Sequence, residues 1–233
     1  MVLNIIRNGE KVSYQVSSKE ATLLQLLSEI KTTKDASLSF ASGCRSSVCG
    51  SCAMRVNGRE VLACTYKPES GDTVEPLKNV PLIRDLVVDM QKALSFNKVA
   101  QNWAVSREEL SAVSPKDAEA NEVQSDCILC GACYSACPVY EVNGEFIGPF
   151  ALTRSWRYVS DKREEDAAGK IAAVQTNGVW DCTLCGECVP VCPQGIAPKS
   201  DIDMLRNKSN ILGYMDPKYA SFGGGLDFGA PSF

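Results

Sequence analysis

The sequence predicts an α+β chain in two parts: a small sheet crossed by one helix over residues 1–95, then an all-helical part over 96–233. Three observations predict it. Residues alternating between apolar and polar, with two Asn-Gly turns, fall in the first 95 positions. Apolar residues at helical spacing dominate the remainder, where strand signals are scarce. A frame of four cysteines in eleven residues occurs twice in the second part and not in the first.

The elements follow in order. Val2, Leu3, Ile5 and Ile6 mark a first strand. In the second, Val12, Tyr14 and Val16 alternate with Ser13 and Gln15, the two-residue period of a half-buried strand. Asn8-Gly9 is the hairpin turn between them. Ser17 and Glu20 read as a capping box ahead of a helix carrying Leu23, Leu24, Leu27 and Ile30 on one face. Met54–Val56 and Val61–Cys64 flank Asn57-Gly58, a second hairpin signal. Hairpin, helix and further short strands compose a β-grasp sheet. Pro76 and Pro81 mark its end, and residues 92–106 connect the parts. Helices are predicted at 106–113, 115–125, 149–160, 162–176 and 199–207, with Pro115 and Pro149 in first turns. Ser and Asp residues around 200–203 read as helix caps. Trp103, Trp156, Trp180 and Tyr158 read as core. The tail 213–233, rich in Gly, Ser, Phe and Pro, reads as an extended arm ordered by a partner or by its own domain.

Composition narrows the function. With 233 residues, 45% hydrophobic and 22% charged, the chain is ordinary globular material. Its net charge of −4 argues against nucleic acid as the main partner. Residues 1–95 carry +2 and residues 96–233 carry −6. There are twelve cysteines and no histidine, which excludes most hydrolytic triads and mixed Cys/His zinc sites. No secretory segment and no membrane-length apolar run stand out. A cytosolic setting follows, where cysteines bind metal rather than form disulfides.

The cysteines form three sets. Cys44, Cys49, Cys52 and Cys64 run C-x4-C-x2-C followed by a distant fourth, the plant-type [2Fe–2S] spacing. A loop around a small cluster needs close backbone, and Gly43, Ser46, Ser47, Gly50 and Ser51 supply it, with donors for the sulfurs. Cys127, Cys130, Cys133 and Cys137 form one C-x2-C-x2-C-x3-C-P frame, and Cys182, Cys185, Cys188 and Cys192 the other. This is the bacterial two-cluster ferredoxin frame, in which the fourth cysteine serves the other cluster. One [4Fe–4S] set is then Cys127, Cys130, Cys133 and Cys192; the other is Cys182, Cys185, Cys188 and Cys137. Pro138 and Pro193 are expected to stop the backbone continuing as a helix after each crossing ligand. All twelve cysteines are used, and three clusters in a row make a short electron path. The alternative is a zinc-binding structural or interaction module, although zinc sites built from four cysteines favour two separated pairs.

SGCRSSVCGSCAMRVNG with LACT, PLKNVPLIRDLVVDM, CILCGACYSACPVY, FIGP and CGECVPVCPQGIAP together resemble the iron–sulfur subunit of succinate dehydrogenase and fumarate reductase, over residues 2–208. The resemblance implies an electron-transfer subunit with no substrate site of its own. It would relay electrons between a FAD-carrying flavoprotein subunit and a quinone-reactive membrane partner, with the [2Fe–2S] cluster nearest the flavin. A peripheral place on the cytoplasmic side of the membrane goes with that role.

Three positions depart from the family pattern. Cys185 stands where the usual third cluster, a [3Fe–4S], has no cysteine. A second [4Fe–4S] is therefore expected, with [3Fe–4S] and a bystander Cys185 as the alternative. Thr183 and Val142 stand where a quinone-side histidine and tryptophan are frequent, so the usual quinone pocket is expected to be missing. A thiol- or menaquinol-coupled fumarate reductase with a cysteine-rich partner is the alternative these changes favour. Ser47 replaces a loop glycine. Arg45 beside it is expected either to screen the cluster's charge or to meet the flavoprotein.

Overall fold

A computed structural model of the chain describes residues 1–17, 20–106 and 112–220. The chain opens with a hairpin, β1 (Val2–Arg7) and β2 (Glu10–Gln15), paired antiparallel. Asn8 and Gly9 both take positive φ, 49° and 91°, the twist a two-residue hairpin turn needs. Helix α1 (Leu23–Thr33) follows, then β3 (Ala53–Val56) and β4 (Arg59–Leu62), joined by Asn57-Gly58 at φ 50° and 81°. β5 (Thr73–Glu75) runs parallel to β1 and antiparallel to β3. The strand order β2-β1-β5-β3-β4 is that of a β-grasp sheet. Leu23, Leu24, Leu26, Leu27 and Ile30 of α1 are buried in one core with Leu3, Ile5, Met54, Val56 and Val74 of the sheet.

The cap of α1 differs from expectation. Thr22 is the N-cap and Gln25 its reciprocal partner, while Ser17 donates to Glu29 through both its backbone N–H and its hydroxyl. Two Ser/Thr-x-x-Glu/Gln frames, Ser17–Glu20 and Thr22–Gln25, follow one another in the sequence. The one adjoining the apolar run caps the helix.

Beyond Pro76 and Pro81 the first part continues into a short ribbon, β6 (Leu82–Arg84) and β7 (Val87–Val88). Arg7 anchors it: Nε lies 3.0 Å and Nη2 3.1 Å from the two carboxylate oxygens of buried Asp85. Helix α2 (Gln91–Val99) then occupies most of the expected connection, and its Ala93 and Phe96 enter the second core. Its N-cap residue, Met90, has no capping side chain, and the Gln91 N–H is taken instead by Asp89 Oδ1 at 2.9 Å.

The helical part comprises α3 (Pro115–Glu119), α4 (Glu122–Ser125), α5 (Ala132–Ser135), α6 (Pro138–Val142), α7 (Pro149–Val159), α8 (Ala167–Ala173), α9 (Pro198–Ile211) and α10 (Pro217–Ala220). The helix expected at 106–113 lies largely outside the described residues, as does most of the 213–233 arm. The helix expected at 115–125 is two, broken at Asn121, whose φ is −142°. The one expected at 162–176 starts five residues later, because Glu164 turns inward to meet Lys170. α9 extends beyond both expected ends. Pro138 opens α6 rather than stopping a helix, since a first-turn proline needs no N–H. Asp201 is no cap: it sits inside α9's first turns, buried, accepting from Gln124 and Thr153. Trp156 and Trp180 are core, Tyr158 is partly buried, and Trp103 is exposed on the turn after α2.

The two cores meet along a polar seam. Ser135 donates to Glu60 Oε1 at 2.7 Å and accepts from the Lys78 N–H at 2.8 Å. Asn79 Nδ2 donates to the carbonyls of Tyr134, Ser135 and Cys137.

Candidate metal centres

The first cysteine set lies on the loop between α1 and β3, with Cys64 just past β4. Cys44 and Cys49 are exposed; Cys52 and Cys64 are buried. The loop turns its amides toward sulfur. The N–H groups of Ser46, Val48 and Cys49 lie 3.4, 3.3 and 3.2 Å from Cys44 Sγ, and the Cys44 N–H lies 3.3 Å from Cys49 Sγ. Ser51 Oγ is 3.1 Å from Cys49 Sγ. Positive φ at Arg45 (61°) and Ser47 (63°) accompanies this inward turn. The Ser46 N–H, then that of Val48, brings the Cys44 thiol down to about 6. Burial pushes Cys52 up to about 11, with Cys64 beside it. Arg45 and Cys64 line a surface cavity with Thr22, Gln25 and Ser28 of the α1 start.

The second set surrounds a cavity. Cys127, Cys130 and Cys133 line it, and so does Cys192, from the far end of the other frame, with Pro193 and Gln194. Burial pushes Cys130 up to about 11 and Cys133 well above the ordinary thiol range. Four thiols packed together can stay deprotonated only against a positive charge of metal.

The third set brings Cys137 to Cys182, Cys185 and Cys188. Burial first pushes Cys188 up to about 12, and the charges of Cys182, Cys137 and Cys185 add to it. The Leu184 N–H points at Cys182 Sγ and the Tyr140 N–H at Cys137 Sγ, both at 3.4 Å. Cys185 and Thr183 are exposed, and Val142 is 85% exposed.

The two frames repeat in shape as well as spacing. Leu129 and Leu184 have φ of 54° and 55°; Gly131 and Gly186 have 82° and 89°. Left-handed leucine is uncommon, and its recurrence at the same point marks a shared wrapping of backbone. Among the described residues no three cysteine, aspartate or glutamate side chains converge closely enough for a single metal ion. The second set rings a space instead of meeting at a point.

Three supporting residues, Arg206, Asn79 and Gln194, carry no mark in the sequence, and Gly50, expected there only to keep its own loop close, also reaches across to the second set. Arg206 Nε donates to the Val179 carbonyl at 2.7 Å and Nη2 to the Cys182 carbonyl at 2.5 Å, fixing the third set's entry. Asn79 holds the segment between Cys133 and Cys137. Gln194 and Gly50 link the first and second sets. None carries a spacing signal, because each acts across distant parts of the chain.

Comparison with known proteins agrees with this layout. A family model described as a 2Fe-2S iron-sulfur cluster binding domain matches residues 6–95, and a 4Fe-4S dicluster domain matches residues 123–196. The fumarate reductase iron-sulfur subunit of Haemophilus influenzae is 35% identical over 231 residues, covering 88% of this chain and 90% of that protein. Its counterpart in Mycobacterium tuberculosis is 38% identical, covering 83% of each. The 8-methylmenaquinol:fumarate reductase iron-sulfur subunit of Wolinella succinogenes is 36% identical over 79% of this chain, which spans 63% of that relative's length. A chain of the Mycobacterium smegmatis Sdh1 complex shares the fold, with a TM-score of 0.80 at 23% identity, covering 93% of this chain and 98% of that one.

Proposed function

The chain belongs to the family of iron–sulfur subunits of succinate dehydrogenase and fumarate reductase, and from that premise we propose how its cysteines divide the work. Cys44, Cys49, Cys52 and Cys64 hold a [2Fe–2S] cluster. Cys127, Cys130, Cys133 and Cys192 hold a [4Fe–4S] cluster. Cys137, Cys182, Cys185 and Cys188 hold a second [4Fe–4S], or a [3Fe–4S] if Cys185 stands aside. The observation carrying this reading is that Cys192 lines the same cavity as Cys127, Cys130 and Cys133, as the crossed ligation of a two-cluster frame requires.

The clusters, when bound, supply one-electron oxidation and reduction. The protein's own part is to set their spacing and their electronics. The N–H groups aimed at Cys44 Sγ and Cys49 Sγ favour added negative charge on the first cluster, raising its potential. Burial of the second set excludes water and disfavours charge there. The division of labour follows residues 1–95 and 96–233, with α2 astride the boundary.

We further propose a flavoprotein partner carrying FAD at the first cluster and a membrane-associated partner at the third, with the chain peripheral on the cytoplasmic side. No helix among the described residues is long and apolar enough to cross a membrane. A second reading, a thiol- or menaquinol-coupled fumarate reductase with a cysteine-rich partner, is favoured by the exposed face at Cys185. Thr183 and Val142, both exposed, offer no imidazole or indole to a quinone. One relative is itself named for an 8-methylmenaquinol.

The test is metal content with an EPR spectrum of the oxidised, anaerobically purified chain. About ten irons per chain support the full proposal, as two plus four plus four. Zinc in place of iron overturns it.

A further inference from the structure

We infer that Gly50 is a positioning residue of the relay: its bare Cα lets the first cysteine loop rest on Cys130 and fixes the gap that electrons cross between the first and second clusters. The inference depends on the ligand sets proposed above. Gly50 sits between Cys49 and Cys52 at φ +72°. A Cβ there would lie 2.8 Å from Cys130 Cβ, 2.8 Å from the Ile128 carbonyl oxygen and 2.9 Å from Cys130 Cα. Two of these three atoms are backbone and cannot rotate away. Carbon atoms in ordinary contact stand ~3.5–4.0 Å apart, so any side chain would open the seam by ~1 Å. Gly43 makes a contrast. Its Cβ would meet Cys49 Sγ within its own loop, which shapes a ligand but not the gap.

A second contact pins the same seam. Gln194 Nε2, two residues past the crossing Cys192, donates to the Ser47 carbonyl at 3.1 Å. The first loop is thus held against the second set at two points, Gly50 on Cys130 and Ser47 on Gln194. The facing loop is wedged as well. Ile128 and Cys130 pack on the sheet core, while Cys127 and Leu129 pack on the helical core. Neither side can slide without disturbing a core.

The step across this gap moves one electron. With clusters held by the two cysteine sets, one would be oxidised as the other is reduced, in whichever direction the complex runs, and no bond would form or break. Tunnelling slows steeply as the gap widens, while the potentials depend on ligands and hydrogen bonds that Gly50 does not supply. Widening the seam is therefore expected to change the rate and leave the potentials in place.

The experiment compares wild type, Gly50→Ala and Gln194→Ala as anaerobically purified, cluster-loaded full chains. Iron content, EPR redox titration and rapid-freeze EPR after photochemical reduction are read for each. Gly50→Ala is read only in chains whose iron content matches wild type, and its midpoint potentials are measured alongside so that a change of gap is told apart from a change of driving force. The relaxation enhancement of the first-cluster signal by the reduced second cluster should weaken, and electron equilibration between them should slow. Gln194→Ala is expected to move the same two readouts less far. Unchanged coupling and rate in a fully loaded Gly50→Ala chain would overturn the inference. If Gly50→Ala loses the first cluster, Gln194→Ala decides, since it leaves the glycine and every thiol in place; unchanged coupling there sinks the idea. Zinc or missing iron in the wild type would defeat the ligand proposal instead.

Discussion

Asn79 and Cys137 join the two halves of the molecule. Asn79 Nδ2 lies 3.2 Å from the Cys137 carbonyl, and the same nitrogen is 3.0 Å from that of Ser135 and 3.2 Å from that of Tyr134. One amide from the sheet part thus gathers the carbonyl ends of the short helix between Cys133 and Cys137, which belong to different cysteine sets. Asn79 itself sits at φ +64°, a conformation asparagine tolerates better than most residues. Asn79→Ala is expected to cost about 1–3 kcal/mol of stability. The check is the denaturant midpoint of the loaded chain, followed by visible absorbance and circular dichroism. Asn79→Asp should be worse, because it turns a carboxylate toward three carbonyl oxygens.

Lys170 and Glu164 form a buried ion pair, 2.9 Å apart, with side chains 0% and 1% exposed. The Glu164 carboxylate also accepts from the Val105 and Asp166 N–H groups. Lys170→Met leaves that carboxylate without its cation and is expected to cost about 3–5 kcal/mol. Adding Glu164→Gln should recover much of the loss, since a neutral amide needs no counter-charge. A thermal melt of both variants beside wild type tests this; equal melting of the single and double variants would contradict it.

Asp201 supplies a pH dependence. Burial raises its carboxyl to about 6, against which the hydrogen bonds from Gln124 and Thr153 work. The unfolded carboxyl titrates near 3.9, so between about 4 and 6 the folded chain binds the extra proton. Stability from this group therefore rises as pH falls through about 6, and the charged form carries its cost above that. Asp201→Asn should stabilise the chain near neutral pH by on the order of 2–3 kcal/mol, with the advantage shrinking toward about pH 5. An advantage independent of pH would show that the proton is not the cause.

Thiol reactivity should differ sharply among the sets when the clusters are removed. Cys44 is exposed and its sulfur receives three N–H groups, conditions that favour the nucleophilic thiolate. Cys133 is buried and its thiol is held protonated. Brief iodoacetamide treatment of the cluster-free chain at neutral pH, mapped by mass spectrometry, is expected to label Cys44 well ahead of Cys133. Loading the clusters should abolish both.

What the sequence made legible was local. Asn8-Gly9 and Asn57-Gly58 announced two hairpins because the turn conformation is a property of those two residues alone. The helical half was announced by apolar residues at helical spacing, prolines at first-turn positions and the scarcity of strand signals. Asp201 reads in the sequence as a helix cap and Lys170 carries no local signal, and only the packing of α7, α8 and α9 around them makes them buried. Asn79, Gly50, Gln194 and Arg206 act through contacts between segments 50 or more residues apart in most cases, which no window of sequence contains. Helix α2 is hard to read because its N-cap is Met90, while the side chain that takes its first N–H, Asp89, stands one residue further out. The capping box of α1 was misplaced because Ser17 and Thr22 open competing frames, and only the helix decides between them.

Cys185 offers the sharpest arithmetic. It lies in the frame beside Cys182 and Cys188, and its charge is felt at Cys137 and Cys188 alike. Yet its residue is exposed while Cys188 is buried, so it is the thiol of that set that a partner or oxidant would reach first. If it ligates iron, the wild-type chain carries about ten irons and its oxidised EPR spectrum lacks a three-iron signal. Cys185→Ser should then hold about nine irons and gain that signal, with Cys137, Cys182 and Cys188 still in place. The first and second clusters should keep their own spectra, because no ligand of either is touched. A wild-type chain that already shows the three-iron signal, unchanged in Cys185→Ser, would make this thiol a bystander at an exposed edge of the third cluster.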